Sequence, residues 1–140
     1  MKIQRNKMLL NVVGGILIHN EKILLVKRSN NLKVMPNKYE FPGGKVEMGE
    51  TLQEALIREL KEELSIDINL KNIIEFPKNS LETDKLILTV FIVQNWKNKI
   101  TLNPEINSEI LPVKFSELKY IEELLDTNKL LIPSIIKFLI

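Results

Sequence analysis

The sequence contains no cysteine and a single histidine, His19. A disulfide framework and a zinc site of the usual Cys/His kind are therefore excluded. Neither is needed, because a chain of 140 residues hides about 70% of the surface its unfolded form exposes. An excess of one charge is also missing. Twenty basic side chains stand against 18 acidic ones for a net charge of +2, which argues against a nucleic-acid coat and leaves room for a local basic patch. Long apolar runs are absent as well. Residues 1–7 open on basic character, but the apolar stretch behind them is short and broken by Asn11 and Gly14-Gly15, unlike the core of a secretion signal. No stretch has the length to span a bilayer. With cysteine lacking too, these absences point to a cytoplasmic protein without a membrane partner.

What is present reads as one domain, residues 1–140, with no repeat or linker. Met8 to Ile18 is apolar and β-branched, a strand in which Gly14-Gly15 predicts a bulge or a close backbone approach. His19-Asn20-Glu21 turns the chain, and Lys22 to Lys27 returns as the hairpin partner. Ser29 to Lys38 is a polar loop. Tyr39-Glu40-Phe41 is a short extended piece stopped by Pro42-Gly43-Gly44. Thr51 to Leu64 has helical periodicity, opened by a capping box of Thr51 and Glu54. Ile66 to Phe76 alternates as a strand. Lys85 to Trp96 is a stronger strand, apolar on both faces and so covered on both. Ile110 to Phe115 predicts a short strand, Ser116 a helical turn, and Pro133 the start of a last helix running to Phe138. The fold class is α+β, a mixed, partly antiparallel sheet between helices.

The chemistry is concentrated between Gly43 and Ile66. With Glu59 set at zero on the helix, Glu62 and Glu63 fall at about −60° and +40°, so three carboxylates share an arc of about 100°. Leu56, Ile57, Leu60 and Leu64 form the adjoining apolar stripe, which must face the core. The acidic arc therefore borders the buried face. Like charges at this spacing repel, and a hard divalent cation would turn repulsion into coordination.

The wider spacing is more specific. Gly44, five residues, Glu50, seven residues and then Arg58-Glu59-Leu60-Lys61-Glu62-Glu63-Leu64-Ser65-Ile66 resembles the Nudix box. Phe41 to Lys45 and Glu47 to Glu50 resemble the MutT-type members of that family. The resemblance implies an α/β/α sandwich and a hydrolase that cuts a diphosphate linkage, using Mg²⁺ with Mn²⁺ as a substitute. Its substrate would be a nucleoside triphosphate or a nucleoside diphosphate joined to another group. It also implies roles. Glu59, Glu62 and Glu63 are the metal ligands, with the Gly43 carbonyl as a backbone ligand. Glu59 or a nearby carboxylate activates the water. Arg58 orients the glutamates, Glu50 ties the loop to the helix, and Arg28 and Lys45 contact phosphate. One further catalytic glutamate comes from a late loop, Glu105 or Glu109, with Glu105 favoured. Trp96 and Phe76 are candidates to stack on a base. Ser65 stands where the family carries Gly, at a helix end that favours a left-handed residue.

The leading specificity by resemblance is sanitation of oxidised dGTP. Members with that activity read the purine through an Asn near the last helix, and the aligned position here is Leu131, with Asn128 out of register. A pyrimidine nucleotide such as dCTP stays open for that reason. Two other functions compete: removal of pyrophosphate from an RNA 5′ end, and a non-catalytic nucleotide-sensing module. The first would require a basic channel, and the second generally lacks some box glutamates. The oligomeric state is left as monomer or homodimer.

Overall fold

The computed structural model describes residues 9–140. The basic start and Met8 lie outside the described residues. Strand β1 (Leu10–His19) and β2 (Lys22–Arg28) form the expected hairpin. Asn20 and Glu21 both take left-handed φ, 51° and 61°, the two-residue turn whose twist matches that of the strands it joins.

Next come β3 (Tyr39–Glu40), β4 (Gly43–Lys45), helix α1 (Leu52–Leu64), β5 (Ile73–Ile74), β6 (Ser80–Glu82), β7 (Leu86–Val93) and β8 (Asn107–Lys114). A 3-10 turn (Phe115–Tyr120), α2 (Asp126–Lys129) and α3 (Ile132–Leu139) complete the chain. The sheet runs β3-β2-β1-β7-β5, with β4 on β1, β6 on β7 and β8 on β2. β1 and β7 pair in parallel, from Leu10↔Leu86 to Leu17↔Val93, while the other strand pairs among the described residues are antiparallel, so the sheet is mixed.

Each face buries one core. Val13, Leu17, Leu24, Val26, Phe91 and Val93 pack under α1. Ile16, Ile23, Leu25, Val90 and Ile92 pack on the other side against Leu131, Ile132 and Ile135 around α3. The sandwich is thus α/β/α, as the alternation of β1, β2 and β7 requires.

One feature of the sheet positions everything functional. β1 pairs with β2 only at Leu17–His19 and with β4 at Val12–Gly14. The two strands splay, and β3-Pro42-β4 fills the gap, held by a bond from the Gly15 amide to the Pro42 carbonyl at 2.8 Å.

Three local expectations change. Ile66 to Phe76 is no continuous strand: Asp67 makes a single antiparallel bridge to Lys97, Leu70–Asn72 is a 3-10 turn, and Ile73–Ile74 pairs with β7. Its alternation arises because Ile66 and Ile68 are buried in the α1-side core without a ladder. Gly14-Gly15 makes no bulge, since the β1–β7 register is unbroken. Close approach is the reason for both glycines. A side chain on Gly15 would stand 3.4 Å from Leu60, and one on Gly14 3.4 Å from Phe41. Finally, β8 begins at Asn107, earlier than the apolar run at Ile110 suggests, because the fully buried Asn107 continues pairing past a bulge at Lys27/Arg28.

Candidate active site

Helix α1 starts with both halves of the capping box, Thr51 accepting from the Glu54 amide and Glu54 from the Thr51 amide. It ends at Ser65 in the left-handed region, φ 61° and ψ 25°. Ala55, Leu56, Leu60 and Leu64 are buried along its inner face, and Glu63, 1% exposed, is buried among them.

Arg58 organises the outer side of the cluster. Its Nε and Nη2 donate to the two Glu50 oxygens at 2.7 and 2.9 Å, a fork-to-fork pair. Nη2 also donates to the Lys45 carbonyl at 2.9 Å, and Nη1 to Glu59 at 2.9 Å and Glu62 at 3.4 Å. Glu47 adds an ion pair at 3.3 Å. These bonds from Arg58 are the main reason the Glu50 carboxyl is lowered to about 2.

Glu59 presses against β4. A Cβ on Gly44 would overlap the Glu59 carboxylate, so a side chain there would displace that carboxylate from β4. A side chain on Gly43 would run into the Val13 carbonyl oxygen. Burial raises the Glu59 carboxyl, with Arg58 opposing.

Glu63 is the most stressed group. Both of its carboxylate oxygens are buried and neither has a hydrogen bond of ordinary geometry. Burial pushes its pKa well up, the Glu40 and Glu59 charges push the same way, and the nearby Gly43 amide only partly offsets this.

Among the described residues, no three acidic or imidazole side chains converge on a point as a finished metal cage. Glu59 and Glu62 are drawn outward by Arg58, while Glu63 lies inside. The residues nevertheless fit a hard divalent cation. The donors are all oxygen, the Glu63 oxygens lack partners, and Gly44 leaves the space that Glu59 occupies.

Beside this cluster lies a cavity of about 850 Å³. Val12, Leu86, Leu88 and Leu124 form its apolar floor, and Lys38, Lys45 and Lys85 line it as well. Lys45 is thus at the cavity, as the sequence suggests. Arg28 is there too, but each of its guanidinium nitrogens already has a protein acceptor.

Glu105 and Glu109 separate. Asn103 and Thr101 donate backbone bonds to the Glu63 and Leu64 carbonyls at 3.0 and 2.8 Å, so the late loop docks on the end of α1. Glu105 follows it, exposed, its amide held by Asn103 Oδ1 at 3.2 Å. Glu109 is paired with Lys27 at 3.6 Å and also acts on Tyr39. Tyr39 packs on the α3-side core, the face away from α1.

Three expectations about the base are corrected. Phe76 is 3% exposed and packed 5.5 Å from Phe138, so it is core. Trp96 lies 6.0 Å from His19, at the far end of β1 from the cavity, and stacks on no base there. Leu131 is 2% exposed in the α3-side core. It is Asn128, one turn of chain earlier, that lines the cavity, with Oδ1 accepting from the Phe41 amide at 2.8 Å. Asp126–Lys129 forms a separate short helix before α3, and this places Asn128, not Leu131, at the cavity. Glu40 was missed outright. An acidic residue between two aromatics in a strand was its only signal.

This fold and its oxygen-rich, lysine-flanked site suit a hydrolase that acts on acid anhydrides with a divalent cation. The chain belongs to the NUDIX domain family, whose sequence model matches residues 8–133. It is 30% identical over 96 residues to the 8-oxo-dGTP diphosphatase of Proteus vulgaris, covering 69% of this chain and 86% of that protein. Against the 8-oxo-dGTP diphosphatase of Escherichia coli K12 it is 36% identical over 87 residues, 62% of this chain and 67% of that one. In fold it resembles the crystal structure of a MutT NUDIX hydrolase from Burkholderia pseudomallei, with a TM-score of 0.77 at 17% identity over 91% of this chain and 98% of that one.

Proposed function

We propose that this domain hydrolyses nucleoside triphosphates to the monophosphate and pyrophosphate with Mg²⁺, and that oxidised purine nucleotides such as 8-oxo-dGTP are preferred. The observation that carries the preference is the buried amide of Asn128 in an apolar cavity next to the acidic helix. The Phe41 N–H fixes the amide orientation, and with one Nδ2 proton donated to Thr127 Oγ1 at 3.2 Å the other is left to address a base edge. Such a site rejects bases that leave its buried polar groups unpaired.

Glu59, Glu62 and Glu63 would hold the cation, with Gly43 beside them. Once bound, Mg²⁺ would neutralise diphosphate charge and acidify a water. Glu59, whose basicity burial raises, would be the group that accepts a proton from the attacking water. Arg58 and Glu50 keep Glu59 oriented, and Lys45 meets the phosphates at the β4 edge. Glu105 is the further carboxylate. The same reading gives a cytoplasmic enzyme, monomer or homodimer, since its substrates are in the nucleotide pool.

The test is pyrophosphate release with Mg²⁺ from 8-oxo-dGTP, dGTP, dCTP, ADP-ribose and triphosphorylated RNA. The expected result is the highest kcat/KM on 8-oxo-dGTP, with Asn128→Ala reducing it at least ten-fold and sparing dCTP. A preference for dCTP would sink the purine assignment. Inertness toward the whole panel with either Mg²⁺ or Mn²⁺ would sink the reading.

A further inference from the structure

Arg28 stands at the end of β2 with its guanidinium turned into the protein. Nε donates to the carbonyls of Val34 and Met35, both at 3.1 Å. Nη2 donates to Val34 at 2.8 Å, and Nη1 to the two Glu40 oxygens at 3.1 and 3.3 Å. The carbonyls belong to the segment linking β2 and β3, in which Met35 and Asn37 hold left-handed φ of 48° and 64°. Non-glycine residues persist in that region only where their surroundings hold them. Arg28 does most of this holding, its side chain taking two carbonyls and its own carbonyl accepting from the Asn37 amide at 3.0 Å, while Asn37 Nδ2 also donates to Asn30 Oδ1 at 3.1 Å.

The segment so fixed forms a wall of the cavity. Val34 and Met35 line it while remaining 67% and 53% exposed, apolar side chains standing in water at its mouth. The other end of the fork holds Glu40, which lines the same cavity and is a charge that Glu63 feels. One side chain thus joins the cavity wall to the edge of the acidic cluster.

We propose that Arg28 is a positioning residue that fixes the Val34–Met35 wall over the nucleoside, and that it takes no phosphate. The proposal rests on the nucleotide reading above. A phosphate contact needs a free cation, and a lysine supplies one. Gripping two carbonyls and a carboxylate at once needs the planar guanidinium fork.

The experiment compares Arg28→Lys and Arg28→Gln with the unaltered chain. Calorimetry with Mg²⁺ present measures binding of 8-oxo-dGMP and, separately, inorganic pyrophosphate. Kinetics on 8-oxo-dGTP separate KM from kcat. Both variants should weaken 8-oxo-dGMP binding and raise KM at least ten-fold, with kcat within about three-fold and pyrophosphate affinity within about two-fold. Lysine should not rescue. If pyrophosphate affinity falls ten-fold with Gln and returns with Lys, Arg28 is a phosphate contact and the proposal is wrong. Should both variants unfold, Met35→Ser leaves Arg28 in place and must raise KM without touching pyrophosphate binding; an unchanged KM overturns the proposal. An unaltered chain that binds 8-oxo-dGMP without cutting the triphosphate counts against the functional reading alone. One that binds no nucleotide overturns both.

Discussion

At the scale of single residues the site is built on an unfavourable burial. Glu63 is 1% exposed with both oxygens unpartnered, and leaving a buried polar group unsatisfied costs about 1–3 kcal/mol. An apolar residue of similar size avoids that cost. Glu63→Leu should therefore raise the thermal midpoint in metal-free buffer by a few degrees. If Glu63 holds the cation, Mg²⁺ should raise the midpoint of the unaltered protein and not that of this variant, since a ligand that binds only the folded state raises its midpoint. Thermal melts with and without Mg²⁺ measure both. A lower midpoint combined with an intact Mg²⁺ response would show that Glu63 is structural.

At the scale of elements, α1 is defined by its two ends. Ser65 closes it in a left-handed conformation, φ 61° and ψ 25°, which glycine adopts without steric cost. Ser65→Gly should stabilise the protein by about 1 kcal/mol, read as a higher midpoint in urea at unchanged slope. A lower midpoint would mean that the serine side chain contributes more than the strain removes.

The same helix is tied to the loop before it through Arg58 and Glu50. The Glu50 carboxyl is lowered to about 2, chiefly by its bonds from Arg58. A lowered folded-state pKa means the tie stabilises fully above the unfolded value of 4.5 and is lost as pH falls toward about 2. The stability gap between the unaltered protein and Glu50→Gln should thus be widest near neutrality, shrink below about pH 4.5 and close near pH 2. Denaturation series across that range decide it. A gap independent of pH would place the effect of Glu50 in something other than its charge.

Much of this element was legible in advance, because local rules wrote it. The capping box, the apolar stripe and the left-handed end depend on neighbours within four residues. The Asn128 register and the Arg28 fork were not legible. Asn128 meets Phe41 across 87 positions of sequence, and the direction of the Arg28 guanidinium is set by carbonyls that only the folded segment presents. Glu40 was hidden for a similar reason: only the splay of β1 from β2 brings β3 and its carboxylate beside the acidic helix.

At the scale of the whole molecule, the two faces of the sheet decide which late glutamate can reach the chemistry. The loop before β8 is bonded to α1 at the Glu63 and Leu64 carbonyls and to β2 through the Ser29 amide and Ile106 carbonyl at 2.9 Å. Glu105 lies between those anchors, on the side where α1 ends. Glu109 is four residues on, within β8, where side-chain direction alternates strictly. It sits opposite Lys27 and pairs with it, whereas Val26 and Ile110, one residue away on each strand, pack under α1. Glu109 therefore points to the α3 side. Glu105→Gln should lower kcat at least ten-fold at saturating Mg²⁺, a barrier increase of about 1.4 kcal/mol or more, with the thermal midpoint unchanged because the side chain is exposed. Glu109→Gln should leave kcat within about two-fold and cost only the small stability of a surface ion pair, below about 1 kcal/mol. Paired steady-state kinetics and melts measure both variants. A larger kcat loss from Glu109→Gln would mean that β8 shifts register in the working enzyme. Silence from both would leave the acid–base work to the glutamates of α1.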